Sequence, residues 1–141
     1  MTNPHAVRPP SARPVRAQSE KVQIFLSAPL PIRGVSAAFD LLSRQYSPQK
    51  ALQMILRRAL DEYEEMLESG AFQRAVDNYA SDDSDSTVSI VQTSRMIPKP
   101  LLALARAHFD PLGLESTRAF GRKLATAALA AFFAREAKLR S

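Results

Sequence analysis

Cysteine is absent from this 141-residue chain, which excludes disulfides and thiolate metal sites and fits a reducing compartment. Histidine occurs only at His5 and His108, too sparse a supply for a histidine metal centre or a nucleophilic triad. The glycines Gly34, Gly70, Gly113 and Gly121 are scattered, so the chain has no Gly-rich phosphate loop. No apolar run approaches the roughly 20 residues of a membrane-spanning helix. The N-terminal arginines have no apolar stretch behind them of the kind a secretory signal carries. The expectation is a non-enzymatic protein with no cofactor, no metal and no membrane contact, cytoplasmic by default.

What is present is positive charge, unevenly placed. The net charge is +5, yet the stretch from Asp61 to Asp85 holds nine acids and one base, Arg74, for a local −8. The rest of the chain therefore carries +13 (+5 less −8). Such segregation favours one face for a polyanion and another that repels it. A basic chain without a catalytic cluster points to nucleic acid ahead of an evenly solvated surface. Asp61, Glu62, Glu64, Glu65 and Glu68 follow one another along a helical pattern and read as a solubilising face rather than acid–base pairs.

Residues 1–20 combine Pro4, Pro9, Pro10 and Pro14 with Arg8, Arg13 and Arg16, and have almost no large apolar side chain. They read as a disordered basic tail, because so little burial cannot offset the entropy of ordering. Residues 21–141 read as one domain: a first unit at 21–70, an acidic linker at 71–86 and a second unit at 87–141.

Each unit repeats one plan. Lys21-Val22-Gln23-Ile24-Phe25-Leu26-Ser27 alternates as a strand with Val22, Ile24 and Leu26 on one side, and Pro29 and Pro31 end it. A helix is expected over 33–46. Ser47-Pro48 is a strong start signal for a second, and its stripe runs from Ala51 through Leu52, Ile55, Leu56, Ala59, Leu60 and Tyr63 to Leu67, with Gly70 as the stop. Residues 71–79 have room for a further short helix. The second copy is read from Thr87-Val88-Ser89-Ile90-Val91-Gln92-Thr93, with Val88 and Ile90 inward, at an offset of 66 (88 minus 22). Helices follow at 101–109 and from about 115 to 139, and Arg122-Lys123 falls opposite Arg57-Arg58 at an offset of 65 (122 minus 57). A strand this short cannot satisfy its own backbone, so each copy needs the other. The expected fold is α+β and mostly helical: two units in pseudo-twofold relation, one two-stranded antiparallel ribbon and four main helices. Because one chain supplies both strands, a monomer is expected.

Strand, helix and helix is also the plan of the ribbon-helix-helix DNA-binding proteins, β-ribbon readers that normally act as homodimers. This chain resembles two such units fused, over residues 21–141. The order of elements, with Lys21 to Ser27, the acidic linker and Thr87 to Thr93, is most similar to a plasmid-borne virulence accessory that binds beside the border of transferred DNA. The resemblance implies double-stranded DNA as partner, with the outward strand side chains reading bases and the start of each second helix holding a phosphate. Carried over, the base-reading residues are Lys21, Gln23, Phe25 and Ser27 with Ser89, Val91 and Thr93, and Arg95 just beyond. The phosphate-contacting residues are Ser47, Gln49 and Lys50 in one copy and Ser116, Thr117 and Arg118 in the other. Asp110 and Glu115 make the second clamp less favourable. Gln and Lys suit base edges, whereas Val91 can meet only a thymine methyl and Phe25 departs from a polar pattern. Alternatively, Phe25 and Val91 belong to a second apolar face covered by the tail or another molecule. Since the two strands differ, the expected target is non-palindromic, with the stronger base preference in the half read by the first strand.

The function so implied is an accessory to T-DNA or conjugative DNA processing, with a relaxase or ATPase of the transfer system as possible protein partners. Other readings are a ribbon-helix-helix transcriptional or plasmid-partition regulator and, in a different class, a helical antitoxin-like adaptor for an acidic partner.

Overall fold

A computed structural model describes residues 20–81 and 90–140. The proposed tail up to residue 19, most of the acidic loop and Ser89 lie outside the described residues. The elements in order are β1 (Lys21–Pro29), α1 (Ala37–Gln45), α2 (Pro48–Ser69), a 3-10 turn (Ala71–Arg74), β2 (Ile90–Pro98), α3 (Lys99–Phe109) and α4 (Thr117–Arg140). The mostly helical α+β fold is as the sequence indicates, with four helices behind one two-stranded antiparallel sheet.

Local chemistry sets the boundaries. Ser36 caps α1 by accepting from Phe39 N at 3.0 Å, so this helix starts later than residue 33. The residues before it turn through Gly34, whose φ of 95° is left-handed. Ser47 caps α2 by accepting from Lys50 N at 3.1 Å, Pro48 occupies the first turn, and Gly70 at φ 87° ends the helix. Ser116 does the same for α4 by accepting from Ala119 N at 3.0 Å. The short helix expected over 71–79 is a single 3-10 turn, Ala71–Arg74.

The strand register overturns one expectation. Lys21 pairs with Pro98, Gln23 with Met96, Phe25 with Ser94 and Ser27 with Gln92. β2 therefore continues well past Thr93, to Pro98. Pro29 and Pro98 end their strands and Ser47 and Ser116 cap their second helices, each pair at an offset of 69 (98 minus 29, 116 minus 47). The same offset matches buried Ala51, Leu52, Ile55, Leu56, Ala59 and Leu60 to buried Phe120, Gly121, Leu124, Ala125, Ala128 and Leu129. An offset of 66 is three too small, and an odd slip turns every side chain of a strand to the opposite face. The alignment of Arg57-Arg58 with Arg122-Lys123 fails for the same reason: at 69 these arginines stand opposite Thr126 and Ala127.

One core joins the inner face of the ribbon to all four helices. Ile24, Leu26, Ala28, Val91 and Ile97 pack on Leu52, Leu56, Leu101, Phe120, Leu124 and Leu129. The halves match in plan and differ in depth. A Cβ added at Gly121 would sit 2.0 Å from the Phe25 carbonyl oxygen, so α4 lies hard against β1. At the equivalent position α2 carries fully buried Leu52, a whole side chain where α4 has none.

Gly→Ala inside a helix ordinarily gains about 1 kcal/mol from propensity. At Gly121 the clash with backbone outweighs that gain, and Gly121→Ala is expected to cost a net of about 1–3 kcal/mol. A urea midpoint that falls agrees with this packing; one that rises contradicts the close approach of α4 to β1.

Candidate nucleic-acid interface

The outer face of the ribbon holds Lys21, Gln23, Phe25 and Ser27 on β1, opposed by Gln92, Ser94 and Met96 on β2. Phe25 is 63% exposed and Met96 50%, and half-buried Ile90 stands on the same face at the start of β2. Gln23 Nε2 donates to Ser94 Oγ across the strands at 3.4 Å. Neither strand contains an acidic residue.

Three of the proposed readers belong to the other side. Val91 is 2% exposed and sits in the core, so it is unavailable as a thymine contact or as part of an outer apolar face. Thr93 stands opposite Leu26, and Arg95 opposite Ile24, both on the inner-face parity. Arg95 turns toward α2, where Nε donates to Glu64 Oε2 at 2.7 Å and NH2 donates to Asp61 Oδ1. Burial of the guanidinium works against its charge; the hydrogen bonds to Asp61 and Glu64 outweigh that and hold its pKa above the ordinary value. Lys21, Gln23, Phe25 and Ser27 face outward as expected.

The residues missed are Gln92, Ser94 and Met96. Their signal was the match of Val22-Gln23 to Val91-Gln92 at the offset already marked by Pro29 and Pro98. At that offset Phe25 and Ser94 coincide with their own register partners, so the pseudo-twofold axis passes between them. Gln23 and Gln92 are then the two copies of one outer-face position.

Both second helices start beside the ribbon. Gln53 Nε2 donates to the Gln92 carbonyl at 3.3 Å, holding the start of α2 to β2, while Gly121 holds the start of α4 to β1. The proposed clamp residues lie at these starts: Ser47, Lys50, Ser116, Thr117 and Arg118 are exposed, and Gln49 is half-buried. Unbonded amides and a helix dipole make such ends receptive to anions. The acids near the second clamp are engaged internally. Buried Asp110 accepts from Leu114 N at 2.9 Å, Glu115 N at 3.1 Å and Arg106 at 3.2 Å. Burial alone would raise the Asp110 pKa; those two amides and Arg106 outweigh it and hold the carboxyl below the ordinary aspartate value. Glu115 pairs with Lys123 at 2.7 Å.

Among the described residues, no helix is long and apolar enough to cross a membrane, and no group of three or more His, Asp or Glu is placed to hold a metal ion.

The chain is thus a duplicated strand–helix–helix protein, with both units on one ribbon and a capped helix start beside each strand. It belongs to the VirC2 protein family, whose profile matches residues 9–141. The virC2 protein of Rhizobium radiobacter is 61% identical over 117 residues, covering 83% of this chain and 58% of that protein. That of Agrobacterium fabrum is 59% identical over 118 residues, with the same coverage of 83% and 58%. The chain thus spans 58% of the length of these curated relatives. The crystal structure of plasmid pTiC58 VirC2 superimposes with a TM-score of 0.80 at 57% identity, covering 85% of this chain and 100% of that one.

Arg95 separates a structural role from a reading role. Arg95→Ala removes two charge-assisted bonds, each worth about 1.5–3 kcal/mol when well shielded, and the exposure of Asp61 discounts its share. The expected loss is about 1–3 kcal/mol in denaturant unfolding. A variant of unchanged stability contradicts the inward placement of Arg95.

Proposed function

We propose that this chain is a sequence-preferring, double-stranded DNA-binding accessory protein of the ribbon-helix-helix kind, whose ribbon enters the major groove. The observation that carries this reading is the outer ribbon face: exposed, free of acids, bearing the twofold-related Gln23 and Gln92, and flanked by two capped helix starts. A two-stranded ribbon fits the major groove, and a glutamine amide pairs bidentately with adenine N6 and N7. Lys21 and Gln23 with Met96 read one half of the site, Ser27 with Gln92 reads the other, and Phe25 and Ser94 lie at the centre, beside the pseudo-twofold axis. Ser47, Gln49 and Lys50 hold a phosphate on one flank and Ser116, Thr117 and Arg118 on the other.

Charge order supports the same orientation. Along α2, Lys50, Arg57 and Arg58 precede Asp61, Glu62, Glu64, Glu65 and Glu68, so the acids occupy the half of the helix farther from the clamp. Membership of the VirC2 family supports a place in virulence-associated T-DNA transfer, in which a relaxase or ATPase of the transfer system is the protein partner. Since β1 and β2 come from one chain, the binding unit is a monomer.

The matched glutamines set the form of the target. Gln23 and Gln92 favour the same base at mirror-related positions, while Phe25 against Ser94, and Ser27 against Met96, differ. The site is an imperfect inverted repeat. Selection from random duplexes followed by footprinting tests this. Gln23→Ala and Gln92→Ala should each relax preference at one of the two mirrored positions, by about 1–3 kcal/mol. Affinity should fall steeply with salt. Unchanged preference in both variants, or binding indifferent to salt, contradicts this function.

A further inference from the structure

The two halves differ most between the strand and the first helix. β2 runs directly into α3, whereas residues 30–36 separate β1 from α1. That extra segment is held in place. Pro31 bridges to Ser81, Ile32 N donates to Ala80 O at 3.1 Å, and Gly34 N donates to Asp40 Oδ2 at 3.0 Å. Between it, the face of α1 and the start of α2 lies a cleft of about 560 Å³. Phe39 and Leu30 line it, with Arg33 on the inserted segment and Arg44 at the end of α1, and Pro48 closes it on the side of the first clamp.

Three features give the cleft a chemical preference. Arg33 and Arg44 are exposed and make no ion pair among the described residues. Asp40, the one acid in the lining, already accepts the Gly34 amide. Ser43 Oγ is buried in the same wall without a hydrogen-bond partner among the described residues, and an unsatisfied buried hydroxyl is costly unless something arrives to meet it. Two guanidinium groups and a free hydroxyl around one cleft are the donor set for a phosphate.

We propose that this cleft takes backbone phosphate of the duplex beyond the first clamp, so that the first half of the protein grips a longer stretch of DNA than the second. The inference rests on the DNA-binding reading and adds to it a phosphate site with no counterpart in the second half. There, α3 begins at Lys99 immediately after Pro98, and no segment stands where Arg33 does.

The test uses the full chain carrying Arg33→Ala and Arg44→Ala together, with Lys138→Ala as the surface control, and circular dichroism to establish that each is folded. On a selected duplex, the double variant should bind roughly tenfold more weakly or worse, and its slope of log affinity against log salt should fall by about 1.8, the loss of two phosphate contacts. Hydroxyl-radical footprinting should lose protection at one end of the site, the end beside the Gln92 position, where Pro29 leads into the inserted segment, with the other end unchanged. Lys138→Ala should match the parent in all three. An unchanged slope and footprint, with the parent still binding duplex, overturns the cleft and leaves the ribbon reading standing. A parent that binds no duplex overturns both. Inorganic phosphate alone provides the remaining comparison: amide shifts at Ser43 and Arg44 that follow added phosphate but not added duplex would make the cleft a free-anion site and overturn the proposal.

Discussion

Everything in this molecule depends on the pairing of β1 with β2. Each strand is nine residues long and has no other strand beside it among the described residues, so the backbone donors and acceptors of one are met by the other. The pairing puts Phe25 opposite Ser94, and this one correspondence decides the rest. It sends Ile24, Leu26, Val91 and Ile97 into the core, delivers Arg95 to the carboxylates of α2, and leaves Gln23 and Gln92 as equivalents on the exposed side. The long helices then stack behind the ribbon with their capped ends at its flanks. A slip of one residue would bury glutamines and expose valine and isoleucine, and core burial of several side chains at about 1.5–3 kcal/mol each opposes it.

Duplication within one chain frees the halves to diverge while the ribbon stays closed. A homodimer must present the same residues twice; here Phe25 faces Ser94 and Gly121 stands where the first half has Leu52. The first half has an inserted segment and two arginines, Arg33 and Arg44, that make no ion pair among the described residues, and the second has Asp110 tied into its own turn. The shared features are those the pairing requires: the strand-ending prolines, the serine caps and the buried stripe of the second helix. The divergent features sit on the surface or at close helix–strand contacts, where each half is tuned separately.

The helices were legible because their signals are local. Ser47-Pro48 and Gly70 mark both ends of α2, and its apolar stripe repeats at three and four residues. The strand β1 was legible too, since Val22, Ile24 and Leu26 alternate and Pro29 ends the run. The register of β2 was not. Its inner face carries Thr93 and Arg95 between Val91 and Ile97, so hydrophobic alternation is broken where it was needed, and Val88 with Ile90 offered a more regular pattern three residues out of step. The correction was present at long range, in Pro29 with Pro98 and Ser47 with Ser116, which share one offset. Arg95 misled for a related reason: just beyond a strand expected to meet DNA an arginine suggests a base contact, and only the register shows that it turns to Glu64 and Asp61.

The absence of native cysteine offers a direct measurement of that register. Single substitutions Val91→Cys, Gln92→Cys, Ser94→Cys, Met96→Cys and Ile97→Cys, probed with a thiol reagent under native conditions, report which side chains meet solvent. Rapid labelling at 92, 94 and 96 with strong protection at 91 and 97 is the expected pattern, and added duplex should slow labelling at 92. Rapid labelling at 91 with protection at 92 and 94 would contradict the register, and with it the reading face built on Gln23 and Gln92.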